Sequence, residues 1–347
     1  MGLGTFLWLL PARAEINEYK EGKKKTADAT ATSSVTAEKV AWRNSTFAYE
    51  NSVSALSFNR GADLTYNPYY AQSLSFRPRY YLRDDLSLRA RLDLEIELTL
   101  SDDSDHAREW ILSDLLLDVN YAPSWMTIPV LKVQVNPYLR FAFPTSKVSQ
   151  GHSMMLSMGP GFALRREFPL LKGRFLKSIG LTYAFRGTKY LNEFTTGQIA
   201  TGICLGSNPD NPACTQSGTR NVSWRLNNVF EARLQIMDKL SFTADVLLFN
   251  DLLYKLDSED VSAAVGSNSM VGDSRINHRA ATWVIFDVSY DLLDWLWLSL
   301  GTSTFYSQLT PDSNYRTPLF NRYTTFYLDV TLPVDRFVNQ VRSWARR

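Results

Sequence analysis

The chain has 347 residues, of which 45% are hydrophobic and 13% aromatic, and its 37 Lys and Arg residues nearly balance 35 Asp and Glu residues. The resulting net charge of +2 argues against a nucleic-acid partner. No uncharged apolar run reaches about 18 residues, which excludes an ordinary membrane-spanning helix. If the chain crosses a bilayer, it must therefore do so as a closed β-barrel.

Two segments precede the patterned part of the chain. Residues 1–14 combine an apolar stretch with the small residues of Ala12-Arg13-Ala14, which is typical of a secretory signal and its cleavage site, although no basic residue starts it. We interpret residues 1–14 as a signal-peptide remnant, with an ordinary buried apolar segment as the alternative. Residues 15–43 are polar and charged, which predicts a disordered periplasmic extension that acts as a linker.

Residues 86–100, LSLRARLDLEIELTL, alternate strictly between apolar and polar or charged residues. A period of two places the leucines on one face of an extended strand and the charges on the other. A strand of this length exceeds the usual five or six residues or so and needs an environment other than a soluble core.

The same alternation recurs along the chain and predicts twelve strands. Their predicted positions are 46–58, 71–81, 86–100, 110–121, 130–143, 155–166, 176–186, 223–237, 240–251, 281–290, 296–308 and 321–332. The connections between them alternate between long and short without exception. A soluble β-sandwich has no reason to sort its loops in this way.

In this respect residues 44–335 resemble the bacterial outer-membrane β-barrel superfamily, which has short periplasmic turns, long extracellular loops and an even number of strands. The resemblance is porin-like and architectural, and it identifies no specific family. It implies an all-β fold, an antiparallel up-and-down transmembrane β-barrel of about 12 strands in the bacterial outer membrane. Members commonly end on an aromatic residue that closes the last strand. Here residues 336–347 continue instead, as a short amphipathic helix at the periplasmic interface or as a frayed terminus.

In such a barrel the charged strand faces must line the lumen, because a Lys or Arg costs about 2–4 kcal/mol at the bilayer midplane. Twelve strands enclose less space than porins of about 16 strands, so we expect a narrow, polar lumen. The inward face includes Arg165, Arg186, Asp245, Asp287 and Asp329. The residues predicted to line the lumen and set its selectivity are Arg77, Arg79, Arg89, Arg91, Asp93, Glu95, Glu97, Asp114, Asp118, Lys132, Arg140, Arg225, Glu231 and Arg233.

The tight turn at Arg83-Asp84-Asp85 predicts the register of the flanking strands. It places Arg79 opposite Arg89 and Arg77 opposite Arg91, an arrangement that requires nearby anionic groups. The most compact pairing with the following strand places Asp93 near Asp118 and Glu97 near Asp114. A carboxylate cluster would then lie above the arginine cluster, as opposed charges do in porin constrictions.

These features predict a passive channel for small polar or charged solutes, without a cofactor because no nucleotide-binding motif occurs. The alternative is a non-conducting barrel that serves as a scaffold, adhesin or envelope-complex subunit through loops 187–222 and 252–280. Expected partners are membrane lipid, lipopolysaccharide and small polar solutes. The lumen charges have two other interpretations: salt bridges that brace a closed or plugged barrel, or arginines that bind a phosphate or carboxylate.

The two cysteines, Cys204 and Cys214, lie in a stretch rich in Gly, Asn, Pro, Ser and Thr. In an exported protein they predict a disulfide that closes a surface loop. No metal site is expected, because two thiolates without a nearby His do not complete a tetrahedral shell.

A lipid hydrolase is the third functional alternative, since some outer-membrane barrels use a His and a Ser at the outer leaflet. His106, His152 and His278 all lie in predicted external connections, and Gly151-His152-Ser153 is the best candidate. However, adjacent residues on an extended chain point apart, whereas a nucleophile needs its base within hydrogen-bond reach. We therefore do not expect the protein to be an enzyme.

Overall fold

A computed structural model describes most of the chain. The described residues are 40–58, 69–99, 106, 108–170, 176–198, 216–255, 277–309 and 314–345. Residues 1–39, which hold the predicted signal remnant and most of the predicted extension, lie outside these ranges. So do Cys204 and Cys214, and the predicted disulfide stays a prediction.

The described residues form a closed antiparallel barrel of twelve strands, as predicted. Two strands are interrupted, β2 around Pro78 and β4 around Ser113 and Asp114. The strands are β1 (Thr46–Ser54), β2 (Tyr70–Arg77 and Arg79–Tyr81), β3 (Leu86–Glu97), β4 (Glu109–Leu112 and Leu115–Tyr121), β5 (Val133–Phe143), β6 (Met154–Pro169), β7 (Ser178–Asn192), β8 (Val222–Gln235), β9 (Leu240–Leu253), β10 (His278–Leu293), β11 (Leu296–Ser307) and β12 (Thr324–Pro333).

Each strand pairs with its neighbours in the chain, and the first strand closes the barrel against the last. The β1–β12 register runs from Thr46 opposite Pro333 to Ser54 opposite Thr325. Closure removes the unpaired edges that an open sheet would expose, so every strand has a partner on both sides.

Most strand ends lie within a few residues of their predicted positions, and the largest difference is in β7. This strand ends at Asn192 rather than at 186, because Gly187 and the polar residues after it continue the ladder with β8. In β4, the interruption arises where the Asp93 amide donates to the Ser113 hydroxyl at 2.8 Å. A side chain there replaces a backbone partner, which allows a change of register.

The outer face of the barrel is apolar. The side chains of Phe76, Leu181, Leu300 and Leu328 are 53%, 46%, 62% and 46% exposed, whereas residues of the opposite parity on the same strands face inward. An apolar wall of this extent is stable in contact with lipid rather than with water. The strands therefore have one apolar and one polar face, as predicted, and the apolar face points outward.

The strand bounds place connections 82–85, 236–239 and 294–295 at one end of the barrel and 193–221 and 254–277 at the other. The side of the membrane that each end faces stays a prediction. The long 193–221 connection includes a small hairpin in which Thr196–Gln198 pairs with Gln216–Arg220. Below, the two ends are called the short-turn end and the long-loop end.

Two α-helices are described. Helix α1 (Lys147–Gly151) lies between β5 and β6, and helix α2 (Val334–Ala345) follows β12 directly. The predicted tail thus begins two residues earlier than expected and is helical. The ring of Trp295 in the β10–β11 turn lies 5.5 Å from the Phe337 ring and 6.2 Å from the Trp344 ring, which holds α2 at the short-turn end. No helix within the described ranges is long and apolar enough to cross a membrane.

Replacement of Gly159 by valine is expected to prevent β6 and β7 from pairing. A Cβ atom at Gly159 would lie 2.0 Å from the Gly187 carbonyl oxygen and 2.7 Å from the Thr188 Cα, so main chain would have to move. Heat-modifiable migration in SDS gels measures barrel closure. The matched control is Gly180→Ala, whose Cβ would meet only the Arg233 Cβ at 3.8 Å. A normal gel shift for Gly159→Val would contradict the expectation.

Candidate functional site

The arginines of β2 and β3 lie side by side on the inner wall, as predicted. Arg79 is directly opposite Arg89. Arg77 donates to the Ser75 hydroxyl at 3.0 Å, and Ser75 in turn donates to Asp93. Arg91 pairs with the same carboxylate, with its Nη2 2.7 Å from the Asp93 Oδ2. Asp93 thus supplies part of the anionic compensation that the arginine cluster requires.

The predicted register between β3 and β4 is wrong. Asp118 lies opposite Arg89 rather than near Asp93, and Glu97 lies opposite Glu109 rather than near Asp114. Asp118 accepts from Arg89 at 3.2 Å and from Arg140 at 2.7 and 2.9 Å. The observed register joins Asp118 to two guanidiniums, which the predicted register would not have done. It also places Glu97 opposite Glu109, where Lys147 supplies a positive charge to Glu109.

Acidic residues do occupy β3 beyond its arginines, toward the long-loop end. Tyr69 donates to Glu95 at 2.6 Å and Thr99 donates to Glu97 at 2.6 Å. Lys147 of α1 pairs with Glu109. A carboxylate group above the arginine group is therefore present along β3, although its partners in β4 differ from those predicted.

Asp114 belongs to a separate set of contacts at the break in β4. It accepts from the Ser146 amide at 3.1 Å and from the Ser149 hydroxyl at 2.5 Å. The Ser146 hydroxyl also caps α1 through the Ser149 amide at 3.1 Å. Asp114 thus anchors α1 to the barrel wall, a structural role, rather than joining the carboxylates of β3.

A cavity in the lumen has a volume of about 540 Å³ and lies along the inner wall of β3–β8. Small inward residues create this space. They are Ala163 in β6, Ala184 in β7 and Val229 in β8. The available sequence signal for this space was a small residue two positions before each of the predicted inward residues Arg165 and Arg186.

The charged residues around the cavity are mostly basic. Five predicted lumen residues line it in addition to Asp118, together with the predicted inward residues Arg165 and Arg186. Arg166 and Glu167 also line it and were not predicted. Among the described residues, the charged lining is Arg79, Arg89, Lys132, Arg140, Arg165, Arg166, Arg186, Arg233, Asp118 and Glu167.

A hydrophobic cluster occupies the lumen on the β9–β12 side. It was not predicted, because every inward strand face was expected to be polar. We call it the apolar cluster. Trp283 and Phe249 are 1% and 2% exposed, and both rings lie about 6 Å from the Phe305 ring, at 6.1 and 5.9 Å. Its members are Leu247, Phe249, Trp283, Ile285, Phe305 and Tyr327.

The inward orientation of the apolar cluster follows from strand parity. Leu247 and Phe249 share a face of β9 with Asp245 and Asp251, whereas Val246 on the opposite face is 38% exposed. This interruption of a polar face by large apolar residues was the available sequence signal. Because these side chains are buried inside the barrel, they fill the part of the lumen that they face.

The remaining predicted lumen residues of β8 are also on the inner wall. Arg225 makes a two-point contact with Asp251, at 2.6 and 2.9 Å, and its guanidinium lies 5.6 Å from the Phe249 ring centre. Glu231 is buried directly opposite Asp245. The Arg225–Asp251 pair therefore braces the wall beside the apolar cluster, which agrees with the salt-bridge interpretation for this part of the lumen.

The histidine of Gly151-His152-Ser153 lies at the long-loop end in a structural setting. The Nδ1 of His152 is 2.7 Å from the Asn221 Oδ1, and the Asn221 amide donates to the carbonyls of His152 and Phe194 at 2.8 and 2.9 Å. Burial lowers the pKa of His152 below its ordinary value. The Ser153 hydroxyl donates its proton to the His152 carbonyl at 2.7 Å. These contacts join two connections, 144–153 and 193–221, at the long-loop end.

No protein-family model and no curated protein sequence matches the chain. Among solved structures, the chain is similar to an outer membrane channel from Pseudomonas putida F1, with 10% identity, a TM-score of 0.49, and 87% of this chain and 99% of that chain covered. It is also similar to the NanC porin, with 11% identity, a TM-score of 0.39 and coverage of 82% and 98%. LpxR from Salmonella typhimurium is similar too, with 10% identity, a TM-score of 0.39, and 83% of this chain and 99% of that chain covered.

The chain has a porin-like barrel architecture. This statement rests on its own closed twelve-stranded sheet, apolar exterior and charged interior.

Proposed function

We propose that the protein is an outer-membrane barrel that acts as a passive channel for small polar or charged solutes. The cavity inside the barrel carries this proposal: it has a volume of about 540 Å³ and is lined by polar and charged side chains. The apolar outer wall supports a place in a lipid bilayer, and single-chain barrels of this kind belong to the bacterial outer membrane. Membrane lipid and lipopolysaccharide would contact that wall.

Two features support a narrow pathway rather than a wide pore. The apolar cluster fills the lumen on the β9–β12 side. Asp118 pairs with Arg89 and Arg140 on the inner wall beside the cavity. Solutes would therefore pass along β3–β8, where Ala163, Ala184 and Val229 leave room. Polar groups of the wall would replace part of the hydration shell of the solute, as in other selective pores.

The first test of the channel is the conductance of the purified protein in planar bilayers. Ala184→Phe is expected to lower single-channel conductance about fivefold, because the ring would enter the cavity at its small-residue wall. Leu300→Phe is the matched control, since Leu300 is 62% exposed on the lipid face and does not line the cavity, and it should conduct normally. Equal conductance of the two variants would overturn the assignment of the pathway.

Absence of conductance in the unmodified protein at every voltage would overturn the channel itself. The structure would then support the alternative of a non-conducting scaffold, adhesin or envelope-complex subunit. Its contacts would come from loops 187–222 and 252–280, which include residues outside the described ranges.

The proposal includes no hydrolytic activity. The Ser153 hydroxyl uses its single proton on the backbone carbonyl of His152, and the ring of His152 contacts Asn221. Both contacts support a structural role at the long-loop end. Release of fatty acid from phospholipid or lipopolysaccharide that is abolished by His152→Ala would contradict this part of the proposal.

A further inference from the structure

We propose that the lumen cavity is an anion-binding site, so that the channel passes small solutes carrying carboxylate or phosphate groups in preference to cations. This inference rests on the proposed channel function and goes beyond it, because it assigns the sign and chemical class of the solute. The charge of the cavity wall is the first observation that carries it.

Eight basic residues and two acidic residues line the cavity. One of the acids, Asp118, already accepts hydrogen bonds from Arg89 and Arg140. The other, Glu167, accepts from Ser178 at 2.6 Å. Among the described residues of the lining, basic side chains outnumber acidic ones, and an anionic solute would offset that excess of positive charge.

The deepest of these cations are strongly buried. Arg140 and Arg186 are 5% and 7% exposed, although both line the cavity. The Nε of Arg186 donates to the Thr188 hydroxyl, a neutral group, at 3.1 Å. Buried charges act in a lower effective dielectric than surface charges, so their attraction for an anion in the cavity is stronger and less screened by salt.

Two acids of the opposite wall, Asp245 and Asp287, are not part of the cavity lining. Each is 1% exposed. Tyr327 donates to Asp287 at 2.9 Å, and Ser289 donates to it as well. These two carboxylates are therefore set back from the cavity surface that the basic residues line.

The size and shape of the cavity favour a small organic anion over a bare halide. A volume of about 540 Å³ lies within the range of small-molecule sites. Guanidinium groups match the planar or tetrahedral oxygens of carboxylate and phosphate. The Ala163, Ala184 and Val229 side of the cavity would accept the uncharged part of such a solute.

The decisive experiment is ion selectivity of the full-length protein in bilayers under a potassium chloride gradient. The wild type is expected to pass chloride more readily than potassium. The combined variant Arg165→Gln, Arg186→Gln and Arg233→Gln should lower the chloride-to-potassium permeability ratio about fivefold, because three cavity cations are removed. The matched control is Arg83→Gln, whose exposed side chain pairs with Asp85 in the turn, and it should leave the ratio unchanged.

Block of the current by citrate and by inorganic phosphate separates the two kinds of solute. Each anion that enters the cavity should reduce the potassium chloride current, and its half-blocking concentration should rise about tenfold in the triple variant. Block by citrate alone assigns carboxylates, and block by phosphate alone assigns phosphates. If neither anion blocks, or if the triple variant is blocked as easily as the wild type, the anion site is overturned.

The outcomes distinguish this inference from the channel proposal. A conducting wild type that prefers potassium overturns the anion site and leaves the channel intact. If the wild type does not conduct, the detergent-solubilised barrel is titrated with citrate and phosphate in a calorimeter to test for the anion site. Binding that the triple variant loses would support the anion site without the channel. Absence of binding would overturn both the anion site and the channel. The gel-shift assay establishes that each variant is folded, and Arg165→Gln alone serves if the triple variant is not.

Discussion

Replacement of Trp283 by alanine is expected to raise single-channel conductance at least about twofold and to admit larger solutes, because a large ring leaves the lumen. Trp283 is 1% exposed, packs against Phe305 and donates its indole N–H to Ser303 at 2.7 Å. Its removal leaves space beside the existing cavity, and the polar groups nearby allow water to enter. Planar-bilayer recordings with polyethylene glycols of graded size would measure the change.

The control for this prediction is a tryptophan on the other side of the wall. Trp110→Ala removes a side chain that is 61% exposed on the barrel exterior, and it should leave conductance unchanged. Phe249→Ala provides a second test within the apolar cluster if Trp283→Ala does not fold. Unchanged conductance in folded variants of both cluster residues would mean that the apolar cluster does not restrict the pathway.

Replacement of Asp118 by alanine is expected to destabilise the barrel by about 3 kcal/mol, because it leaves two buried guanidiniums without their shared carboxylate. Asp118 is 1% exposed and accepts from both Arg89 and Arg140. This loss of stability is at the lower end of the range for breaking a buried ion pair, because both arginines line a cavity that a counter-ion can enter. Urea unfolding in lipid vesicles, followed by tryptophan fluorescence, measures the free energy.

An exposed ion pair gives the comparison for Asp118. Asp84 lies 2.6 Å from Arg43, but its side chain is 71% exposed. Asp84→Ala should therefore change the free energy of unfolding by less than about 1 kcal/mol. If both variants lost the same small amount, the Asp118 contacts would not contribute to the stability of the wall.

Much of the site was predictable because barrel strands impose a simple rule. A period of two decides which side chains face lipid and which face the lumen, so Arg77, Arg89 and Arg140 could be assigned inward without a structure. The same rule places Trp283 and Phe249 inward, but composition alone could not show that inward residues would include an apolar cluster. That cluster forms only where inward faces of neighbouring strands meet.

Local alternation of apolar and polar residues was enough to predict the strand number and the lipid-facing and lumen-facing residues. One tight turn was enough to predict that Arg79 lies opposite Arg89. The tertiary structure alone decided the β3–β4 register, in which the interruption at Ser113 and Asp114 brings Asp118 to two arginines. It also decided where the lumen is open. Cavity volume depends on which small and large side chains face each other across closed strands, and that is a property of the whole barrel.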